Sequence, residues 1–108
     1  MGKINSRNKG ARFERTVAEI LREYGYEARR GQQYCGANGD PDVISDFPLQ
    51  LECKAVERLD LYGAFTQAIS DAKVTDKTPA VVHKKNHSEP LITMRFHDLL
   101  KLIEEKED

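Results

Sequence analysis

The sequence predicts a single α/β domain in which a mixed sheet is flanked by helices. Its 108 residues are enough for one modest hydrophobic core and too few for two independently stable domains. Apolar residues recur at helical spacing in three segments, and they alternate or cluster as in β-strands in five others. The resulting order is α-β-β-β-α-β-β-α. We therefore assign residues 1–108 to one domain and expect residues 1–8 to be a flexible basic arm.

The net charge of −1 hides an uneven distribution along the chain. The first twelve residues carry basic side chains and no acidic one, whereas residues 98–108 are mainly acidic. The basic end could bind a polyanion such as DNA, which the acidic end would repel. The basic side chains of the first twelve residues are Lys3, Arg7, Lys9 and Arg12.

The sequence contains no segment typical of a membrane span or a secretory signal. No apolar run approaches the roughly 18 residues needed to cross a bilayer, and the first residues lack a hydrophobic stretch. Cys35 and Cys53 are too few for a disulfide framework, and Cys53 alternates with apolar neighbours as a buried thiol would. We therefore expect a cytoplasmic protein with reduced thiols and no membrane partner.

The N-terminal half begins with an amphipathic helix over about residues 8–24, which ends at Gly25. Residues 26–30 read as a short strand, and the glycine-rich segment 31–40 reads as a loop. The apolar stripe of the helix consists of Phe13, Val17, Ile20, Leu21 and Tyr24.

Two short strands within residues 39–57 carry charged residues that are poor strand formers. In the second strand, leucines and Cys53 alternate with polar residues, so Glu52 and Lys54 point to the same side. The tight connection at 46–48 predicts that the two strands are antiparallel neighbours, which would place Asp42 beside Glu52. Side chains on one face of paired strands lie about 5 Å apart. Two carboxylates at that distance could share a divalent cation.

The C-terminal half contains a second helix, two more strands over 79–84 and 91–96, and a last helix over 97–107. Gln67 lies beside the apolar stripe of the second helix rather than within it. The apolar stripe consists of Leu61, Phe65, Ala68, Ile69 and Ala72. In the last helix we expect Leu99, Leu100 and Ile103 to point inward.

The charged residues of the two strands suggest phosphodiester hydrolysis. A divalent cation held by Asp42 and Glu52 could neutralise charge that develops on a phosphodiester and could lower the pKa of a bound water. Lys54 could orient that water. The simpler alternative is that Glu52 and Lys54 form an ion pair on a solvated strand, worth about 0 to 1 kcal/mol.

Two sequence motifs resemble those of a known nuclease family. Pro41-Asp42, nine residues, then Glu52-Cys53-Lys54 resembles the PD-(D/E)XK nuclease superfamily. Upstream, "KGARFER" (Lys9 to Arg15) resembles the first-helix segment of archaeal-type Holliday junction resolvases and related small phage nucleases. The resemblance implies a restriction-endonuclease-like core, α-β-β-β-α-β, here followed by an extra strand and a C-terminal helix.

The resemblance also implies the site residues. By resemblance, the active-site acids and lysine of the family correspond to Glu14, Asp42, Glu52 and Lys54. A glutamine that many members carry beside the site corresponds to Gln67. Mg²⁺, or Mn²⁺, would then be bound by the three acids. From charge alone we add the DNA-binding residues Arg7, Lys9, Arg12, Arg29 and Arg30. Asp40 is either a turn residue or a further metal ligand.

Several functions remain open on the sequence. The first is a structure-selective endonuclease for branched DNA that acts as a homodimer, like the junction resolvases. The loop 31–40 lacks the serine that such resolvases often have, so a nuclease that cuts duplex or flapped DNA is a close alternative. A catalytically inactive DNA-binding module, or a protein-interaction domain using the acidic C-terminal helix, is a further alternative.

Overall fold

The computed structural model describes residues 6–31 and 42–107. Its elements follow the predicted order α-β-β-β-α-β-β-α. Residues 1–5 of the predicted basic arm lie outside the described residues, and the first helix begins at Ser6. The elements are α1 (Ser6–Glu23), β1 (Ala28–Arg30), β2 (Val43–Ser45), β3 (Leu49–Ala55), α2 (Leu61–Thr75), β4 (Thr78–Lys84), β5 (Leu91–Met94) and α3 (Phe96–Glu107).

The strands form two sheets. In the three-stranded sheet, of order β3-β4-β5, β3 and β4 are parallel and β5 runs antiparallel to β4, so this sheet is mixed as predicted. Helix α2 joins the two parallel strands, as a parallel pair requires a crossover connection. Strands β1 and β2 form a separate antiparallel pair.

The prediction that β2 and β3 are antiparallel neighbours is wrong for the residues that the structure describes. Strand β2 pairs with β1 instead. The end of β2 is held there by two hydrogen bonds, because the Asp46 N–H donates to the Glu27 carbonyl at 3.1 Å and the Glu27 N–H donates to Asp46 Oδ1 at 3.0 Å. The connection at 46–48 therefore moves the chain from one sheet to the other.

The main core lies between α1 and the three-stranded sheet. Phe13, Val17 and Leu21 of α1 pack there against β3 and β4. The opposite face of β3 is covered by α2, whose Ala64 and Ala68 pack with Val81 in a second cluster. Both faces of β3 are thus buried, and the alternative of a solvated strand carrying Glu52 and Lys54 does not hold.

Capping fixes the start of α2, which carries part of the candidate site. Asp60 is the N-cap residue, and its carboxylate accepts a hydrogen bond from the Gly63 N–H at 3.0 Å. A side chain at Gly63 would collide with that carboxylate. At the other end Asp76, in the left-handed conformation, donates its N–H to the Ala72 carbonyl.

The predicted inward positions of α3 are wrong. Leu99, Leu100 and Ile103 are exposed, and Leu102 is the α3 residue that packs against the main core. The periodicity correctly indicated an apolar helix face, but periodicity cannot tell whether the same chain covers that face. Tyr24 is likewise exposed, in the turn after α1. Among the described helices, none is long and apolar enough to cross a membrane.

Candidate active site

Glu52 is a buried acid in the middle of β3. Only 4% of the residue is exposed, because it faces α2 and pairs in register with Val81 of the neighbouring strand. Burial, together with the negative charge of Asp42 and a hydrogen bond with Asp71, raises the pKa of Glu52 to about 8, although the charge of Lys54 acts in the opposite direction. The Glu52 carboxyl therefore keeps its proton near neutral pH unless a cation replaces it.

Asp42 lies immediately before β2 and reaches across to β3. Its Oδ2 accepts a hydrogen bond of 2.9 Å from the Cys53 backbone N–H. Removal from solvent, which raises the pKa, outweighs the bond from Cys53, which lowers it, and with the nearby charge of Glu14 the pKa of Asp42 is raised to about 6. The structure thus brings Asp42 next to Glu52 through this single hydrogen bond rather than through the predicted strand ladder.

Glu14 is buried on the face of α1 that points towards the same acids. Arg30 of β1 donates a hydrogen bond from Nε to Glu14 Oε1 at 2.7 Å, in a largely buried ion pair. The sequence placed Arg30 among the DNA-binding residues. In the structure its guanidinium contacts one of the three acids expected to bind metal.

Lys54 projects from the same side of β3 as Glu52, as the alternation predicted. Its Nζ lies 3.4 Å from Glu52 Oε2 and 3.4 Å from Gln67 Oε1. Gln67, on α2, therefore contacts the lysine directly. The lysine ammonium is held between the Glu52 carboxyl group and the Gln67 amide oxygen, which restricts its position beside the acids.

Asp71 is a site residue that sequence reasoning missed. It lies on α2 four residues after Gln67, and its side chain is hydrogen-bonded to Glu52. Residues four apart share a helix face. Once Gln67 was placed beside the site, this spacing could have identified Asp71 as well.

The predicted DNA-binding residues are distributed over two elements. Lys9 and Arg12 of α1 line a surface groove of about 240 Å³ together with Lys84 and Asn86. Lys9 also lies 4.0 Å from Glu57 Oε2. Arg29 is exposed on β1, next to Arg30. Arg7 lies in the first turn of α1, and Asp40, Pro41 and Cys35 lie outside the described residues.

The acids are near one another but do not form a ready-made ligand shell. Within residues 6–31 and 42–107, no group of three His, Cys, Asp or Glu side chains is arranged to hold a metal ion. One oxygen of Glu14 is instead paired with Arg30. The arrangement can still concentrate negative charge beside a fixed ammonium group, which is the chemistry of a cation-assisted phosphodiesterase.

The residues of this site match a known family of proteins. The family described as "phage putative PDDEXK endonuclease" matches residues 5–108. The chain belongs to this family. The predicted resemblance to PD-(D/E)XK nucleases is therefore confirmed, and the match includes both the first helix with Glu14 and the β3 strand with Glu52 and Lys54.

The fold of this PDDEXK family member is also found in a solved structure. The Holliday junction resolvase Hjc of the archaeal hyperthermophile Archaeoglobus fulgidus superposes with a TM-score of 0.59 at 21% sequence identity, covering 77% of this chain and 74% of that chain. The comparison confirms the predicted restriction-endonuclease-like α/β fold. No curated protein matches the sequence.

Proposed function

We propose that this PDDEXK protein is a Mg²⁺- or Mn²⁺-dependent endodeoxyribonuclease that hydrolyses phosphodiester bonds in DNA. One observation carries the proposal: the buried Glu52 and the half-buried Asp42 lie beside the ammonium group of Lys54. Placing carboxyl groups next to each other away from water raises their pKa values and is unfavourable for folding. Such an arrangement therefore indicates a functional site. Membership in an endonuclease family supports the same chemistry.

The carboxyl groups of these acids are suitable ligands for a divalent cation. Carboxylate oxygens are the ligands that Mg²⁺ and Mn²⁺ prefer, and metal binding replaces protons on ligands of raised pKa. We propose that Asp42 and Glu52 bind the ion, with Glu14 joining them when Arg30 releases it. A bound ion would stabilise negative charge on the phosphate and favour ionisation of a bound water.

Lys54 would then act on the attacking water and on the phosphate. Its Nζ is held by Glu52 and Gln67, so it can orient a water molecule without losing its own position. Hydrolysis forms one bond from the water oxygen to phosphorus and breaks one ester bond. The lysine ammonium can stabilise the charge that accumulates on the phosphate oxygens in between.

We further propose that the preferred substrate is branched DNA and that the enzyme acts as a homodimer in DNA recombination. The fold likeness to a junction resolvase supports this substrate. One chain offers one site, whereas symmetrical cutting of a four-way junction requires two. Lys9 and Arg12 would contact the DNA backbone, along with Arg29 and Arg7. Such an enzyme would meet its substrate in the cytoplasm of a bacterial, archaeal or phage-infected cell.

The test is Mg²⁺-dependent cleavage of a labelled four-way junction beside a linear duplex of matched sequence. We expect paired nicks in the junction alone, lost on addition of chelator and in Lys54→Ala. Lys73→Ala is the matched control, because Lys73 is exposed on α2 and should leave cleavage unchanged.

Other outcomes would replace the substrate or the activity. Equal cleavage of both DNAs would establish the alternative of a nuclease for duplex or flapped DNA. Junction binding that persists in chelator, with no cleavage in Mg²⁺ or Mn²⁺, would show a catalytically inactive DNA-binding module and would overturn the proposed enzyme.

A further inference from the structure

The C-terminal helix presents an apolar face that its own chain leaves uncovered. The side chains at this face are spaced to form one stripe along α3, and between 41% and 71% of each residue is exposed. Leu102 packs against the main core, but no described helix or strand packs extensively against α3. We call these exposed residues the α3 face: Phe96, Leu99, Leu100 and Ile103.

A helix held in this way needs a partner. Isolated helices shorter than about 12 to 15 residues are marginal in water, and α3 has 12 residues. Its stability must come from packing, yet one leucine supplies most of the packing within the chain. Clustered exposed apolar side chains are also typical of protein interfaces.

We propose that the α3 face joins two copies of this chain in a two-fold dimer, with the two α3 helices antiparallel. The inference rests on the proposed homodimer and identifies its surface. Arg95 immediately precedes the helix, and its Nη1 lies 3.8 Å from Asp98 Oδ2. Lys101 lies in the middle of the helix, and Glu104 lies near its end. About a two-fold axis between residues 99 and 100, Arg95 faces Glu104 of the other copy and Asp98 faces Lys101 of the other copy. An antiparallel partner brings opposite charges together, whereas a parallel partner would bring the acids of both helices together. The opposed helix dipoles favour the same arrangement.

The order of apolar residues is compatible with a two-fold axis. Leu99 and Leu100 are at the centre of the stripe, and Phe96 and Ile103 lie three positions away on either side. In a two-fold pair the same patch meets itself. Phe96 of one copy therefore packs against the partner's Ile103, and the leucines meet near the axis.

Strand β5, which immediately precedes α3 in the chain, also has exposed apolar residues. A stable dimer buries about 800 Å² on each partner, which is more than one face of a helix about 18 Å long can supply. Immediately before α3, β5 is the edge strand of the three-stranded sheet, and its Leu91 and Ile92 are exposed. Successive strand residues point to opposite faces of a sheet, so one of Leu91 and Ile92 can add apolar area to the interface. The unpaired backbone edge of β5 is a further surface that a second copy can cover.

The test measures the mass of the full chain in solution, without DNA or metal. We expect a dimer at micromolar concentration for the natural chain and a folded monomer for the double variant Leu99→Asp, Ile103→Asp. Val74→Asp is the matched control, because Val74 is equally apolar, is 86% exposed and lies on α2 away from the α3 face. It should remain dimeric. Circular dichroism shows whether each variant is folded.

A cysteine cross-link tests the antiparallel arrangement with a single small apolar substitution in the α3 face. Leu99→Cys in a Cys35→Ser background should form an intermolecular disulfide on mild oxidation, because residue 99 lies near the axis; Cys53 is buried. Glu105→Cys in the same background should cross-link poorly, since antiparallel helices place their ends apart. Efficient cross-linking at residue 105, whether or not residue 99 also cross-links, would overturn the antiparallel pairing.

Two results would overturn the surface itself: a natural chain that is monomeric at tens of micromolar, or a double variant that stays dimeric. Neither depends on nuclease activity. A dimer through α3 in a protein that cuts no DNA would leave this inference standing and remove the proposed enzyme, whereas a monomer that cuts DNA would do the reverse.

Discussion

Arg30 Nε lies 2.7 Å from Glu14 Oε1, so β1 supplies a cation to one of the acids that we propose as metal ligands. The pair joins two consecutive elements, α1 and β1, and is partly shielded from water. The guanidinium and a divalent ion would compete for the same carboxylate. If the proposed metal binds there, the ion pair would keep Glu14 beside the site while lowering the affinity of the site for the metal.

Replacing Arg30 by glutamine should raise the affinity for Mn²⁺. Removing the guanidinium makes the potential around Glu14 and Asp42 more negative, and an effect of about 1 to 2 kcal/mol corresponds to roughly five- to thirtyfold tighter binding. The free energy of unfolding without metal should fall by about 1 to 3 kcal/mol, because a buried carboxylate loses its partner. Calorimetric titration with Mn²⁺ and denaturation in chelator measure the two effects.

Arg29→Gln is the control for this variant. Arg29 is the preceding residue of the same strand and is exposed. Replacing it changes the net charge by the same amount as Arg30→Gln and leaves the contact with Glu14 intact. Unchanged or weaker Mn²⁺ binding in Arg30→Gln would show that Arg30 supports the metal site instead of competing with it.

The stability of the metal-free protein should decrease as the pH rises from about 5 to about 8. The pKa of Glu52 is raised from 4.5 to about 8 and that of Asp42 from 3.8 to about 6. Over this range the folded state holds protons that the unfolded state has released, so raising the pH favours unfolding, by on the order of a few kcal/mol. Urea denaturation in chelator, at several pH values, measures the slope.

Divalent metal should reverse this trend, since it binds the deprotonated acids. We expect Mn²⁺ to stabilise the protein more at pH 8 than at pH 6. Glu52→Gln carries no ionisable group at that position and should lose most of the pH slope between 6 and 8. An equally steep slope in Glu52→Gln would mean that another group is responsible.

Lys54→Met should reduce the rate of phosphodiester hydrolysis by about 100-fold or more while leaving metal and DNA bound. The loss of a positioned charge that acts on the transition state has an effect of this size. Gln67→Ala should lose about tenfold, equivalent to ~1.4 kcal/mol, because Glu52 still holds Lys54 from the other side. Single-turnover cleavage rates separate the two, and Gln67→Ala at the rate of the natural chain would exclude a role in positioning the lysine.

The parts of the site that follow from local spacing could be predicted from the sequence, and the parts that depend on long-range packing could not. Alternation along β3 placed Glu52 and Lys54 on one side, as observed. The Arg30–Glu14 pair depends on how β1 packs against α1, and Asp42 reaches Glu52 by a hydrogen bond to Cys53. Neither contact leaves a periodic signal.

The same limit explains the errors in the fold. Strand β2 pairs with β1 because Asp46 is bonded to Glu27, and a turn motif alone does not show which strand its neighbour will join. For α3, a stripe such as Phe96 and Leu100 indicates an apolar face without indicating what covers it. These contacts are decided between elements rather than within them.

Val81 supports the helix that carries Gln67, so its packing should influence the site. Val81→Ala should destabilise the protein by about 2 kcal/mol. Val81 is fully buried in β4 and packs against Ala64 and Ala68 of α2. Since those alanines have no longer side chain that could fill the space, the substitution leaves a cavity under the helix that carries Gln67. Val74→Ala is the matched control, being 86% exposed on the same helix, and should change stability by less than about 0.5 kcal/mol.

The loosened helix should also slow cleavage in Val81→Ala, because Gln67 would hold Lys54 less firmly. Measured well below the unfolding temperature, the rate should approach that of Gln67→Ala and fall no further, since the two substitutions would act through the same contact. A stable Val81→Ala protein with an unchanged rate would show that α2 stays in place over the cavity. A rate as low as that of Lys54→Met would show that Val81 supports the catalytic lysine by a route other than Gln67.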